Sequence, residues 1–165
     1  GRILQVLAGQ IGFGLGIDLS HDMLTVARAN LDQREARNCQ VRHGDMYQLP
    51  LPDASFDAAT LHQVLHFADD PFAALSEASR VLATEGRLVV VDLARHGLER
   101  LRELSRHRRL GFTDDEISHW FAELGLVQEA PRRLAGPELT VVIWSARRGR
   151  ASDSNTTKLT RRNAA

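Results

Sequence analysis

Two residue patterns alternate along this chain. Short apolar stretches typical of β-strands are each followed by a longer stretch in which apolar residues recur at the spacing of one α-helical face. Leu88–Val91 is continuously apolar, as expected of a strand buried in a parallel sheet. This alternation predicts an α/β fold, an open sheet with helices on both faces, and an antiparallel pair formed by the last two strands. The predicted strands are 13–18, 39–44, 56–61, 88–93, 126–129 and 139–145.

Helix ends are marked by capping residues. Ser20 and Asp70-Pro71 each precede an apolar periodic stretch, and Thr113 with Glu116 forms a capping-box pattern. Glycines at 86 and 125 are placed to end the last two of these helices. Residues 1–8 have helical spacing but no start signal, so we expect further chain upstream.

Composition excludes several classes of protein. Lys and Arg together number 21 and so do Asp and Glu, which gives no electrostatic case for binding nucleic acid or an anionic membrane. Cys39 is the single cysteine, so no intramolecular disulfide can form. No apolar run approaches membrane-spanning length, and we expect a cytoplasmic protein. Residues 147–165 are polar and aperiodic, which predicts one domain over 1–146 and a disordered tail.

Acidic residues follow two of the predicted strands. In open α/β sheets, ligands bind beyond the carboxyl ends of the strands. The two oxygens of Asp18 match a vicinal diol such as that of a ribose. Asp45 could accept from an exocyclic amine while Met46 packs against an aromatic ring. Asp18 alone is weak evidence, since a helix cap or a turn also explains it, and Asp45 alone is better explained as a turn aspartate. The pair, with one helix between, predicts that an adenosine is held from two sides.

A glycine-rich segment, Gly12-Phe-Gly-Leu-Gly16, looks like a phosphate-binding loop. Such a loop must lie between a strand and a helix N-terminus. These glycines instead run into the strand that ends at Asp18, so we do not expect them to bind phosphate.

In combination, these residues resemble the class I S-adenosylmethionine-dependent methyltransferases, in particular type 11, the ubiquinone- and menaquinone-biosynthesis-like group. Gly1-Arg-Ile-Leu resembles the end of the family's glycine motif, and Gly-Ile-Asp18-Leu-Ser its ribose-binding acid. Gly44-Asp45-Met46 resembles the adenine-contacting segment. The stretches 56–57 and 61–67 resemble the fourth strand and its loop, and 80–88 the turn into the fifth strand.

The resemblance implies a three-layer Rossmann-like sheet whose first strand and most of whose glycine motif are missing. It implies that the complete protein binds S-adenosyl-L-methionine and transfers a methyl group to a small-molecule acceptor without a metal. The loss of the first strand would leave a gap with unpaired backbone groups in the sheet. The cofactor-binding residues that it implies are Gly1, Asp18, Leu19, Gly44, Asp45, Met46, His62 and Gln63.

Three interpretations of His62 and His66 remain open. Their spacing could place both on one helical face as metal ligands, although Gln63 stands where a zinc-protease motif needs glutamate. His66 could be the catalytic general base, next to Gln63 in the acceptor pocket. Both histidines could also simply pack or face water. The basic stretch 95–109 is typical of a solvated helix face, although the resemblance places it over the acceptor site, where His107 or Arg108 could contact substrate.

Two other functions stay open. The chain also resembles methyltransferase domains fused to ArsR-type repressors, so it could be a non-catalytic sensing or degenerate domain that follows a DNA-binding domain. An NAD-dependent oxidoreductase shares the acid on the ribose, but the Gly-Asp-Met after the next strand argues against it. Upstream sequence would test the first alternative. A comparison of the stabilisation by S-adenosylhomocysteine with that by NAD would test the second.

Overall fold

The computed structural model describes residues 1–101 and 107–149. Residues 102–106 of the basic stretch and residues 150–165 of the predicted tail lie outside the described part. The chain forms two compact units, Gly1–Pro50 and the residues from Leu51 onward, where the sequence predicts one domain over 1–146. Each unit has a sheet of its own.

The first unit is a two-stranded parallel sheet with helices. The strands pair from Gly14 with Cys39 to Asp18 with His43, so both end at the same edge. Ser20 caps the second helix, as the sequence predicts, by accepting from the N–H of Met23. The elements are α1 (Arg2–Leu7), β1 (Gly14–Asp18), α2 (His21–Gln33) and β2 (Cys39–His43).

The glycines before Asp18 serve packing rather than phosphate binding. Gly14 and Gly16 lie within β1, and a Cβ at Gly14 would come within 2.9 Å of side-chain atoms of Leu4 and Ile11. The absence of a side chain therefore lets α1 lie close against the strand. Asn38 stabilises the segment between α1 and β1, because its side-chain amide donates to the carbonyls of Ala8 and Ile11.

The second unit is a five-stranded sheet in the order β3-β4-β7-β5, with β6 also paired to β7. β3 and β4 are parallel, whereas β7 runs antiparallel to β4, β5 and β6. The antiparallel pair predicted from the last two strands is therefore present. The elements are β3 (Phe56–His62), α3 (Pro71–Arg80), β4 (Leu82–Leu93), α4 (Asp114–Glu123), β5 (Leu126–Gln128), β6 (Arg132–Ala135) and β7 (Thr140–Arg148).

The structure differs from the sequence prediction in the end of one helix, in one additional strand and in the length of the last strand. The helix ends at Arg80, and Gly86 lies inside β4, where a Cβ would come within 2.8 Å of the Ala83 carbonyl oxygen. β6 was not predicted, because all four of its residues are exposed and show no apolar alternation. β7 continues to Arg148, beyond the predicted domain end at 146, because the Arg148 guanidinium donates to the carbonyls of Leu82 and Ser79.

The core of the second unit lies between its sheet and helices. Phe121 and Trp144 are fully buried, as expected of core residues, and the Trp144 indole donates to Asp114 at 2.8 Å. The capping box of Thr113 and Glu116 is formed, and Gly125 follows α4 in the left-handed region with φ of 68°. Within the described residues, no helix is long and apolar enough to cross a membrane. The cytoplasmic location stays a prediction.

Candidate functional site

The carboxyl edge of the β1–β2 pair brings two predicted site residues together. Asp18 is the last residue of β1 and pairs with His43, two residues before Asp45. The N–H of Gly44 donates to the Asp18 carbonyl at 3.2 Å, which ties the loop after β2 to the end of β1. Both carboxylates are exposed. Asp18 and Asp45 therefore lie on one rim and are available to a ligand, as the adenosine hypothesis requires.

Each of these carboxylates uses one oxygen to shape its own loop. Asp18 Oδ1 accepts from the N–H of Ser20 at 2.8 Å, and Asp45 Oδ1 accepts from the N–H of Tyr47 at 2.9 Å. Neither acid has a further partner among the described residues. Because Ser20 caps α2, Asp18 is not the cap that the alternative interpretation proposed. One oxygen of each carboxylate can therefore accept from a ligand hydroxyl or amine.

The other predicted residues of this unit differ in their surroundings. Leu19 is 64% exposed, and Met46, which follows Asp45, is half-buried. A Cβ at Gly44 would come within 2.9 Å of Ile17, so only glycine fits there without a shift. Gly1 instead lies against Ala27 of α2, where a Cβ would be 3.0 Å from its carbonyl oxygen.

Sequence reasoning missed a histidine pair in the first unit. The rings of His21 and His43 stack with centroids 4.4 Å apart and planes 5° apart. His21 begins α2 and His43 ends β2, so the pair adjoins the rim that carries Asp18 and Asp45. The pairing depends on strand register, which no sequence motif signals.

In the second unit, the loop after β3 carries the remaining predicted residues. His62 is the exposed last residue of β3, and His66 lies in a 3₁₀ turn over Leu65–Phe67. The two histidines therefore do not share an α-helical face. Gln63 adopts φ of 50° and donates its N–H to the Val91 carbonyl at 2.7 Å. Left-handed backbone at a residue other than glycine is strained and concentrates at functional sites.

His66 is buried against a carboxylate. It is 4% exposed, and its Nδ1 lies 2.7 Å from Oδ1 of Asp92, which has no exposure. Asp92 also accepts from the N–H groups of Leu65, His66 and Leu93. A carboxylate at Nδ1 places the proton on that nitrogen, which leaves Nε2 as the basic atom. The sequence analysis did not predict the pairing of Asp92 with His66.

Two further histidines surround this pair. The ring of His107 lies 4.3 Å from that of His66, and His107 Nδ1 and His96 Nε2 are buried with no hydrogen-bond partner among the described residues. Burial lowers the pKa of His96 and of His107, and in each the positive charge that His66 can carry lowers it further. Protonation of either ring is therefore disfavoured in the folded state. His107 belongs to a polar cluster rather than to a solvated helix face.

The family is established by sequence. A family profile described as "Methyltransferase domain" matches residues 1–90. The chain belongs to this methyltransferase family. The class I S-adenosylmethionine-dependent family that the motifs indicated is thereby confirmed, and the matched stretch contains His66 and all the predicted cofactor-binding residues. Asp92 and the histidines at 96 and 107 follow it.

Relatives and solved structures agree with this assignment. Demethylmenaquinone methyltransferase of Listeria welshimeri is 36% identical over 84 residues, which cover 51% of this chain and 36% of that protein. The uncharacterized methyltransferase YcgJ of Bacillus subtilis is 28% identical over 152 residues, covering 84% of this chain and 58% of that protein. The matches thus span about one third to three fifths of these relatives.

The crystal structure of the Bacillus subtilis YcgJ protein superposes with a TM-score of 0.77 at 19% identity, over 92% of this chain and 88% of that one. A geranyl diphosphate methyltransferase in complex with S-adenosylmethionine superposes with a TM-score of 0.73 at 14% identity, over 87% and 72% of the two chains. At these identities the superpositions show the fold alone. The predicted Rossmann-like α/β methyltransferase fold is confirmed.

Proposed function

We propose that this chain belongs to an S-adenosyl-L-methionine-dependent methyltransferase that acts on a small molecule. The observation that supports this best is the pair of exposed carboxylates, Asp18 and Asp45, on one rim of a parallel strand pair, each with an oxygen left for a ligand. When bound, the cofactor would supply an electrophilic methyl group on a sulfonium.

The residues of the first unit suit a nucleoside. Asp18 would accept from the ribose hydroxyls and Asp45 from the adenine amine, because an ionised carboxylate is an acceptor with two oxygens. Leu19 and Met46 would give apolar contact to the rings, and Gly44 would let the backbone approach closely. Gly1, His62 and Gln63 complete the proposed cofactor-binding set.

His66 is the proposed general base. Methyl transfer to a hydroxyl or amine releases a proton, and Nε2 of His66 would accept it while Asp92 holds the Nδ1 proton and orients the ring. Because the protein need only align the acceptor with the methyl group and exclude water, positioning would supply most of the acceleration. In this proposal, side chains of the chain itself accept the proton and orient the base, and no step uses a metal.

A binding comparison tests the cofactor assignment. S-adenosylhomocysteine at a hundred times its dissociation constant should stabilise the protein by about 2.7 kcal/mol, whereas NAD should give no shift. Asp18→Asn and Asp45→Asn should each weaken S-adenosylhomocysteine binding by about tenfold or more, because each loses a charged hydrogen-bond acceptor. Thermal unfolding measures the stabilisation, and calorimetric titration measures the affinities.

Asp32→Asn is the matched control, since Asp32 is an exposed acid in the same unit on the surface of α2. It should leave the affinity unchanged. Stabilisation by NAD in place of S-adenosylhomocysteine would favour an oxidoreductase and contradict the proposal. Binding without transfer of a radiolabelled methyl group to any acceptor would favour the sensing function instead.

A further inference from the structure

A cleft of about 380 Å³ opens in the second unit beside the loop that carries His66. Its size lies in the range of small-molecule sites. Its lining contains three arginines and one acid. The lining residues are Ala68, Asp69, Arg95, Arg108, Arg109 and Leu110.

Two of these arginines are already engaged by acids. Arg95 donates to both oxygens of Glu116 at 2.8 Å, and Arg108 pairs with Asp69 at 2.6 Å. Among the described residues, the guanidinium of Arg109 has no hydrogen-bond or ion-pair partner, although its side chain lines the cleft and the residue is half-buried. The cleft thus keeps one uncompensated positive charge on a planar donor suited to a carboxylate or phosphate.

Backbone hydrogen bonds fix this charge beside the proposed base. The N–H groups of Arg108 and Arg109 both donate to the carbonyl oxygen of His66, at 3.0 and 3.1 Å. Ala68, which also lines the cleft, follows His66 by two residues. A molecule held by Arg109 is therefore held next to the loop of His66.

We propose that this cleft binds an anionic group, a carboxylate or a phosphate, of the methyl acceptor. This inference rests on the proposed function, because it assigns the cleft to the acceptor that His66 would deprotonate. Arg109 would be the specificity-determining residue, contacting the anion directly. Arg95 and Arg108, held by their acids, would add positive potential without giving up their ion pairs.

Binding of simple probes to the full chain, without cofactor, tests the proposal. Benzoate and phenyl phosphate are anionic, and benzamide is a neutral analogue of benzoate with nearly the same shape. NMR titration should show shifts at the amides of Ala68 and Leu110 with an anionic probe, and benzamide should bind about tenfold more weakly. Comparison of the two anions distinguishes a carboxylate site from a phosphate site.

Substitutions assign the effect to one side chain. Arg109→Gln should raise the dissociation constant of the anionic probe by about tenfold, and Arg109→Lys, which keeps the charge but loses the planar fork, should have a smaller effect. Arg28→Gln, at an exposed arginine of the first unit, is the control and should change nothing. The lysine variant keeps the test valid if the glutamine variant folds poorly.

Equal binding of benzoate and benzamide, shifts confined to other surfaces, or an unchanged dissociation constant in Arg109→Gln would overturn the proposal. S-adenosylhomocysteine binding is measured in parallel on the same samples. If S-adenosylhomocysteine binds and the anions do not, this inference fails alone. If the anions bind through Arg109 and S-adenosylhomocysteine does not bind, the anion site stands and the methyltransferase proposal fails.

Discussion

At the scale of single residues, Asp92 is a buried carboxylate near the end of β4. It has no solvent exposure, and its two oxygens accept from three backbone N–H groups and from the ring of His66. A buried carboxylate is costly unless such donors surround it. Asp92 therefore holds the 3₁₀ turn after β3 and the orientation of His66 at the same time.

Asp92→Asn should both destabilise the protein and change the tautomer of His66. An amide group in place of one oxygen would face a buried donor, which costs about 1–3 kcal/mol in unfolding free energy. Urea unfolding measures this cost, and ¹⁵N chemical shifts of the His66 ring report loss of the Nδ1–H form. Asp57→Asn, at an exposed position of β3, should change neither. An unchanged ring tautomer would contradict the orienting role of Asp92.

Gln63 stores backbone strain in the loop after β3. Its φ of 50° is disfavoured by about 1–2 kcal/mol for a residue with a side chain. Gln63→Gly should therefore raise the unfolding free energy by about 0.5–1 kcal/mol, after the greater freedom of glycine in the unfolded chain is subtracted. If the Gln63 side chain contacts the cofactor, the same variant should bind S-adenosylhomocysteine more weakly.

Ala54→Gly provides the matched comparison, because Ala54 has φ of 51° in an exposed turn and its side chain is a single methyl group. It should give a similar stabilisation in thermal denaturation with unchanged affinity. The two variants together separate relief of strain from loss of a contact. Equal affinities in both would remove Gln63 from the binding set.

At the scale of elements, tight turns after helices and strands position the site loops. Gly111 adopts φ of 76°, and the bridge between Ala94 and Phe112 brings the backbone at the end of β4 against it. A Cβ there would come within 2.3 Å of the Ala94 carbonyl oxygen. Gly125 also has a positive φ, but a Cβ there would meet nothing within 4 Å. A substitution at Gly125 therefore tests backbone strain alone, whereas a substitution at Gly111 tests strain together with steric overlap.

Gly125→Ala should lower the unfolding free energy by about 1 kcal/mol, from left-handed backbone strain alone. Gly111→Ala should lower it by about 2–5 kcal/mol, because overlap with a backbone carbonyl adds to that strain. Denaturant unfolding of both variants measures the difference. Gly97→Ala, where a Cβ meets nothing and φ is not positive, is the control with little change. Similar losses in the first two variants would mean that the segment around Ala94 moves aside readily.

At the scale of the whole molecule, the histidine cluster links stability to pH. His96 faces His66 and Glu99, and His107 faces His66, His96 and Asp92. Burial lowers the pKa of both His96 and His107 below the ordinary value of 6.5. As pH falls, the unfolded chain takes up protons at these rings before the folded protein does. This contribution to stability is therefore present above the unfolded pKa and is lost as pH falls through the folded pKa.

The urea midpoint should consequently decrease between about pH 7 and about pH 5, the range in which histidines titrate. His107→Asn should flatten that dependence, because it removes one ring whose protonation the fold opposes. His119→Gln is the control, since His119 lies exposed on α4 and should leave the slope unchanged. A slope that is unaffected by His107→Asn would show that other groups govern the acid sensitivity.

The sequence by itself determined most of the helices and strands and the place of the two acids of the first unit. Apolar periodicity and capping residues such as Ser20 and Thr113 act over a few neighbouring positions, so they can be recognised without the fold. Asp18 ends β1 and Asp45 follows the end of β2, and parallel strands share one carboxyl edge, so their common rim follows from chain order alone. The motif resemblance likewise depends only on local order.

Only the tertiary structure decided what contacts the remaining site residues make. Asp92 meets His66 across 26 positions of sequence, and His107 reaches the same ring from a later segment. The strand β6 forms a hairpin with β7 although it shows no apolar pattern, and the continuation of β7 to Arg148 depends on the carbonyl of Leu82, which is distant in sequence. Spacing along the chain carries no information on such contacts, because they are set by strand register and by the packing of separate loops onto the sheet.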